Sequence, residues 1–372
     1  MTTVKTPYSE AIQSSSRNRY AVWSYPQGAY AAGPLQPNPD HATSRIRAGL
    51  AEIHARPVAP PDNRRVFTMG SCFAREIENA LIFRGVEVPC ADFTPYVARL
   101  DLFPHAGPTI PLRQFFNRYN LPSMLQELKV LANGFPADPN WLLYRSGAEF
   151  SDLHYHMVLS RLPFDACQER RAIVQQTLSA AMRRANIFVV TLGLCEAWFD
   201  LESKSYLNVI PPRQVATDNP GRFELHLIDY DDNVRCLLRI HDLLESVLGR
   251  EQFLLIVTVS PQPMIRTFTP EDVVVANTGA KSVLRAAAGE AARRRSNIVY
   301  FPAYEIALNS NPSLVWQADG QHLERSATVH VVKTFSDWLT AGPLRQASAS
   351  GQESTVVSGA TRRPRLPQRQ PS

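Results

Sequence analysis

The chain has 372 residues, 44% of them hydrophobic, and a formal net charge of +5 at pH 7. Length and composition suit a globular protein with a full core in one large domain or two smaller ones, and exclude a fibrous or wholly disordered chain. No apolar run approaches the ~18 residues that cross a bilayer, and the stretch Met1–Glu10 lacks the basic head and apolar run of a secretory signal, so cytoplasm is the expected compartment.

The charge is uneven along the chain. Beyond residue 341, Arg345, Arg362, Arg363, Arg365 and Arg369 stand against Glu353 alone, which accounts for four of the five net positive charges. Such a tail can touch a polyanion, yet the near-neutral body shows no nucleic-acid footprint, and a disordered basic end over 342–372 is expected. Five cysteines (Cys72, Cys90, Cys167, Cys195, Cys236) form no Cys-x-x-Cys pair, so neither a zinc ribbon nor a disulfide framework is expected.

Residues 1–60 are rich in Pro, Ser and Gly and read as an irregular arm, with Tyr20, Val22, Trp23, Tyr25 and Tyr30 available to pack on the body. Apolar spacing at Ile46, Leu50 and Ile53 predicts one short helix over Ser44–His54. The folded domain is expected over 61–341. It opens on the run Val66-Phe-Thr-Met69, the turn Gly70-Ser-Cys72 and a helical pattern through Ile77, Ala80, Leu81 and Phe83. Val86–Cys90 reads as a second strand. Residues 94–163 lack the alternation of strands and helices, so they read as a largely helical insertion: a helix over Ser123–Ala132, an aromatic loop through Trp141 and Tyr144, then Asp152–His156. His154 and His156 share a strand-like face, but no third ligand stands at a telling spacing, and no metal is expected.

After a long amphipathic helix over Asp165–Ala185 come Ile187–Leu192, a run suited to a central parallel strand, and then Gly193-Leu-Cys-Glu-Ala-Trp198. Weak alternation over 205–210 and 223–228 predicts an appended hairpin. A helix over Asp231–Leu248, a strand over Phe253–Val259 ending at Ser260-Pro-Gln-Pro263, a helix over Val273–Arg295, a strand over Ile298–Phe301 and a last helix over Ser326–Leu339 complete the domain. Apolar strands alternating with amphipathic helices predict a three-layer, doubly wound parallel α/β sheet. Sites in such sheets form beyond the carboxyl ends of the strands. That rule gathers Gly70–Cys72, Gly193–Glu196 and Ser260–Pro263 on one rim, and the loop Asp319-Gly-Gln-His322 follows the last strand closely enough to reach it.

Nucleophilic acyl transfer requires an activated hydroxyl or thiol, a base, a group that orients the base, and donors for the oxyanion. Asp319 and His322, at a spacing that lets a turn bring carboxylate to imidazole, supply orienter and base. Taken singly, these residues also fit a helix-capping Ser71, a small buried Cys72 and a loop-capping Asp319.

In combination and order they resemble the SGNH (GDSL-like) hydrolase superfamily. More closely, Gly70-Ser-Cys-Phe-Ala74, Thr191–Trp198, Thr258–Pro263, Ala276–Arg285 and Asp319–His322 look similar to the GSCFA domain family, over roughly residues 60–340. The resemblance implies a flavodoxin-like three-layer sandwich and an acyl esterase or O-acyltransferase acting on a glycan or small acylated substrate. It implies no fixed cofactor, with acetyl-CoA a candidate acyl donor. In the superfamily the nucleophile is the third residue of Gly-Asp-Ser. Here Cys72 holds that position and Ser71 the Asp position, so either the thiol attacks or the register slips to Ser71. Polysaccharide-modifying acyltransferases with a Gly-Asn-Cys turn favour Cys72, and the helix amino end is expected to lower its pKa.

The superfamily's oxyanion block contributes an Asn, and the matching Gly193-Leu-Cys-Glu196 has none, leaving the Gly193 amide and the N–H at Cys72 as expected donors. Glu196 is expected to orient the base or hold a substrate hydroxyl, and Ser260 to sit in a turn beside them. Lys281 and Arg285, four apart on a helix, read as a solvated face able to hold an anionic acyl carrier. The weakened oxyanion block also fits a catalytically silent binding module. Oligomeric state is open.

Overall fold

The computed structural model describes residues 5–23, 38–103, 112–155, 161–249 and 253–341. Among these described residues nine strands run in chain order: β1 (Val66–Met69), β2 (Leu143–Ser146), β3 (Glu149–Asp152), β4 (Ile187–Leu192), β5 (Glu196–Asp200), β6 (Ser205–Tyr206), β7 (Phe223–Leu227), β8 (Leu254–Val259) and β9 (Ile298–Phe301). Four of them make the central parallel sheet in the order β1-β4-β8-β9. Every residue of β1, β4 and β8 is buried, as expected of strands covered on both faces. The helices Cys72–Phe83 and Arg325–Thr340 pack together, as do Tyr230–Leu248 and Val273–Arg294, so the sheet is flanked by helical layers in a doubly wound α/β fold.

The expected second strand survives only as a single parallel bridge between Arg65 and Glu87. Pro89, which has no N–H for a ladder, starts a short 3-10 turn over Pro89–Ala91 and ends the pairing. Even so, the bridge places this segment outside β1, where a fifth strand of such a sheet would lie.

The insertion is less helical than its sequence suggests. The helix Leu121–Asn133 is capped by Asn120, whose side chain accepts from Ser123 N. The aromatic stretch that follows is an antiparallel hairpin, β2–β3, with Gly147 at φ +68° in its turn. Asp152 fixes the hairpin to the helix Phe164–Arg184 by accepting from Arg171 Nε at 2.8 Å and Nη2 at 2.9 Å. The appended hairpin is a three-stranded antiparallel sheet in the order β6-β5-β7, with Glu196–Asp200 as its unpredicted central strand. Asp200 accepts from Arg222 through two hydrogen bonds and from the Tyr144 hydroxyl at 2.7 Å, which ties this sheet to the insertion.

Of the expected Ser44–His54 helix only Ser44 and Arg45 are helical, as the end of a single turn over Ala42–Arg45; after it the chain runs irregularly along the body. An exposed helix, Tyr8–Arg17, precedes it. Tyr20 does pack, stacking on His54 at 3.9 Å, whereas Trp23 stays exposed, and Tyr25, Tyr30 and the basic tail lie outside the described residues. No helix among the described residues is long and apolar enough to cross a membrane.

Candidate active site

The β1 strand ends against β4 so closely that Gly70 has no room for a side chain. A Cβ there would lie 1.8 Å from Thr191 Oγ1 and 2.8 Å from the Thr191 carbonyl oxygen, and Gly70 itself holds φ +150°. The chain then turns through Ser71, which stands at the N-cap with extended backbone but makes no side-chain cap bond, into a helix whose first residue is Cys72. The Cys72 N–H therefore belongs to the set that lacks an intrahelical acceptor.

Ser71 and Cys72 open onto a cleft of about 530 Å³, whose lining also includes Asn117, Gly193, Gln262 and His322. Ser71 is nearly buried; Cys72 is partly exposed and its thiol donates to Gln262 Oε1 at 2.6 Å. Burial pushes the Cys72 thiol up, and the Phe73 N–H, the Ser71 hydroxyl and Gln262 offset this only in part. The expected lowering by the helix end is thus reversed, because desolvation of a thiolate outweighs the first-turn N–H groups. Alkylation by iodoacetamide is accordingly expected to be slower at pH 7 than for a free cysteine, and to climb about tenfold per pH unit towards pH 9. A rate flat from pH 6 to 8 would instead mean a preformed thiolate.

His322 is the only described histidine in the lining of this cleft. It sits in a turn from Trp316 to Leu323, closed by Gln317 N bonding to the His322 carbonyl and by Gly320 at φ +65°. Asp319 Oδ1 accepts from the Gln321 and His322 amides at 2.9 and 3.0 Å, and its Oδ2 pairs with His322 Nδ1 at 2.6 Å. The bond from the His322 ring, with the two backbone N–H groups, holds the Asp319 carboxyl at about 2. Nδ1 is thereby fixed, and Nε2 has no partner among the described residues.

The stretch expected to supply oxyanion donors departs most from the sequence reading. Residues 117–120, inside the insertion, cross over the ends of two core strands: Arg118 N bonds to the Gly70 carbonyl at 2.8 Å and Leu194 N to the Tyr119 carbonyl at 2.9 Å. This crossing brings a side-chain amide into the cleft. Asn117 is 2% exposed, its Nδ2 makes only a 3.5 Å contact to the Tyr119 hydroxyl, and its Oδ1 has no partner among the described residues. Asn208 Nδ2 anchors the Asn117 carbonyl at 2.8 Å. The sequence signal was slight: Asn117-Arg-Tyr-Asn120 has no periodicity, and only the pairing with β1 and β4 gives it a place.

Gly193 also lines the cleft, 3.0 Å from the Tyr119 carbonyl to where its Cβ would be, and its own N–H makes no backbone bond among the described residues. Ser260 is buried in the turn after β8, and its Oγ has no partner among the described residues. Glu196 does not reach for a base: its carboxylate accepts from Thr267 Oγ1 at 2.5 Å and Phe268 N at 2.8 Å, so it clamps the 260–270 loop that forms one wall. Lys281 is not on a solvated face. It is 1% exposed, its Nζ donates to the Gly193 carbonyl at 3.0 Å, and burial pushes its pKa down to about 8. Arg285 points elsewhere, pairing with Glu305 and stacking on Tyr300.

His154 is committed to structure. Its Nε2 lies 2.6 Å from Glu127 Oε2, Arg118 bonds to the same buried carboxylate, and burial pushes the imidazole pKa down. His156 lies outside the described residues. One group with metal-ligand spacing is present among the described residues, His241, Asp242 and Glu245, but His241 is bonded to Asn297 and Asp242 on a different surface. A larger hollow, about 1200 Å³, lies at the amino ends of the strands beneath residues 54–63; its lining includes the His54 imidazole but no thiol among the described residues.

A comparison with curated proteins matches none. The model of the GSCFA family matches residues 65–335, a span that begins at the β1 strand, contains Ser71, Cys72, Asn117, Gly193, Asp319 and His322, and covers most of the chain. On that match, with the Gly-Ser-Cys-Phe-Ala turn at the rim where the sheet places it, the chain belongs to the GSCFA family.

Proposed function

We propose that this protein is an acyl esterase or O-acyltransferase that works through a covalent acyl-enzyme on Cys72. The observation that supports it is the shared cleft: a partly exposed thiol and an imidazole whose other nitrogen is fixed by a carboxylate, brought together from opposite ends of the domain.

In the forward step the Cys72 thiol passes its proton to His322 Nε2 while sulfur attacks the acyl carbonyl carbon. The carbonyl electron pair moves onto oxygen, which the Asn117 amide and the N–H groups of Cys72 and Gly193 stabilise. The intermediate collapses, the bond from carbonyl carbon to the leaving oxygen or sulfur breaks, and His322 returns the proton to the leaving group. A water or an acceptor hydroxyl then gives its proton to His322, attacks the thioester, and releases the acid or the new ester with the thiol restored. Because the resting thiol has a raised pKa, the base must take the proton during attack rather than before it. The acceptor in this reading is water, a glycan hydroxyl or a small alcohol; a thioester such as acetyl-CoA would serve as donor in the transfer reaction.

One feature favours the silent module instead: the resting thiol is already bonded to Gln262. The two readings part on turnover of p-nitrophenyl esters by the full chain. Measurable hydrolysis that disappears in Cys72→Ala and His322→Ala supports the enzyme; no turnover, or turnover indifferent to both changes, rejects it.

A further inference from the structure

The lining of the cleft is chemically mixed. Around Ser71 and Cys72 stand polar groups, the buried Asn117 Oδ1, which has no partner among the described residues, and the exposed His322 ring. The same lining carries an apolar wall of Trp198, Leu207, Val209, Met264, Ile265 and Phe268. Trp198 and Phe268 meet edge to face at 5.2 Å, and Ile265, 80% exposed, stands on the same loop. An aliphatic side chain left in water beside an aromatic pair, on a loop clamped by both oxygens of Glu196, is a held apolar surface.

Most of the polar side chains along that wall are already used. Glu196 holds Thr267 and Phe268; Asn120 caps its helix and bonds to the Leu207 carbonyl at 3.3 Å; Asn208 bonds to the Asn117 carbonyl. The exception is Arg266, between Ile265 and Phe268, whose side chain is exposed to solvent. A sugar ring seated against the wall would bury most of its hydroxyls against groups whose hydrogen bonds are already made, with one guanidinium left to meet them, which is costly. A hydrocarbon chain carries no such cost and gains from every methylene removed from water.

We propose that the cleft takes esters or thioesters of an apolar acyl chain several methylenes long, the chain seated along the Trp198–Phe268 wall and its carbonyl at Cys72. This rests on the acyl-transfer reading and replaces acetyl as the expected acyl group; any sugar or alcohol belongs to the acceptor side.

The test is kcat/KM of the full chain on p-nitrophenyl esters from acetyl to decanoyl. It should rise about three- to fourfold per added methylene until the cleft is full. In Phe268→Ala and in Ile265→Ser, each shown folded by circular dichroism, the ratio of octanoyl to acetyl turnover should fall by about tenfold or more. A wild-type ratio at or below one, or a ratio unmoved in both variants, overturns the proposal while leaving the hydrolase reading intact. Should no ester turn over, the hydrolase reading fails, and calorimetric titration with octanoate and with N-acetylglucosamine decides the apolar site by itself. Octanoate binding with a negative heat-capacity change, weakened in Phe268→Ala, supports it. Absence of octanoate binding overturns it.

Discussion

Gly70→Ala is expected to destabilise the protein by more than about 4 kcal/mol, in the range reserved for a short list of severe mechanisms. The added methyl would lie 1.8 Å from Thr191 Oγ1 and 2.8 Å from both Thr191 Cβ and its carbonyl oxygen. The hydroxyl could rotate away, but the carbonyl belongs to β4, whose register with β1 and β8 is fixed by ladders on both sides. Alanine is also strained at φ +150°. Relief therefore requires β1 to part from β4 at the rim that carries the Gly-Ser-Cys turn. Gly279→Ala is the matched control: it lies on the exposed face of the helix Val273–Arg294 with nothing within 4 Å of its added Cβ. It should stabilise by about 0.5–1 kcal/mol through lost backbone freedom in the unfolded chain. Urea unfolding measures both. A Gly70→Ala loss under 1 kcal/mol would mean that the two strands are not in contact here.

Cys72→Ala and His322→Ala are each expected to lower kcat/KM on the best ester by at least about 10³-fold, about 4 kcal/mol of transition-state stabilisation. The double variant should lose little more than either single one, because nucleophile and base act as a unit. Ser71→Ala separates the two candidate nucleophiles. Ser71 is nearly buried, and its hydroxyl acts on the neighbouring sulfur by favouring the thiolate. Its loss should therefore cost less than tenfold and shift the alkylation profile of Cys72 to higher pH. A Ser71→Ala loss as large as that of Cys72→Ala would move the nucleophile to the serine.

The architecture was readable where burial was uniform. Ile187–Leu192 and Leu254–Val259 are apolar along their whole length because both faces of a central strand are covered, and no competing periodicity disguises them. At the edges the signal was weaker. Val86–Cys90 alternates like a strand, yet Pro89 denies it a ladder. The hairpin Leu143–Asp152 had its Ser146-Gly147 turn in plain view, but of its two aromatic residues Tyr144 joins a satellite core with Trp141 and Leu153 while Phe150 packs on Phe164, so the strands do not alternate cleanly.

Thiol and imidazole were legible because each is a scarce residue type at the end of an element, and the carboxylate because it stands at Asp-x-x-His spacing before that imidazole. Asn117 was not, since its position depends on a loop crossing two strand ends, at Gly70 and Leu194, that lie far from it in sequence. Lys281 misled for the opposite reason. One lysine in an alanine-rich helix looks solvated, and only the packing shows it beneath the Gly193 carbonyl. Glu196 fits the same pattern: an acid near the rim whose two oxygens are used to hold a loop.

Acyl transfer through Cys72 requires a covalent bond between an acyl group and its sulfur. Intact-mass analysis of the full chain, acid-quenched after brief incubation with p-nitrophenyl octanoate, reads that bond directly. One added acyl mass is expected, mapped to the Cys72 peptide, released by neutral hydroxylamine as a thioester, absent in Cys72→Ala and formed far more slowly in His322→Ala. An adduct that persists in Cys72→Ala, or wild-type protein that turns over the ester with its mass unchanged at every quench time, would contradict it.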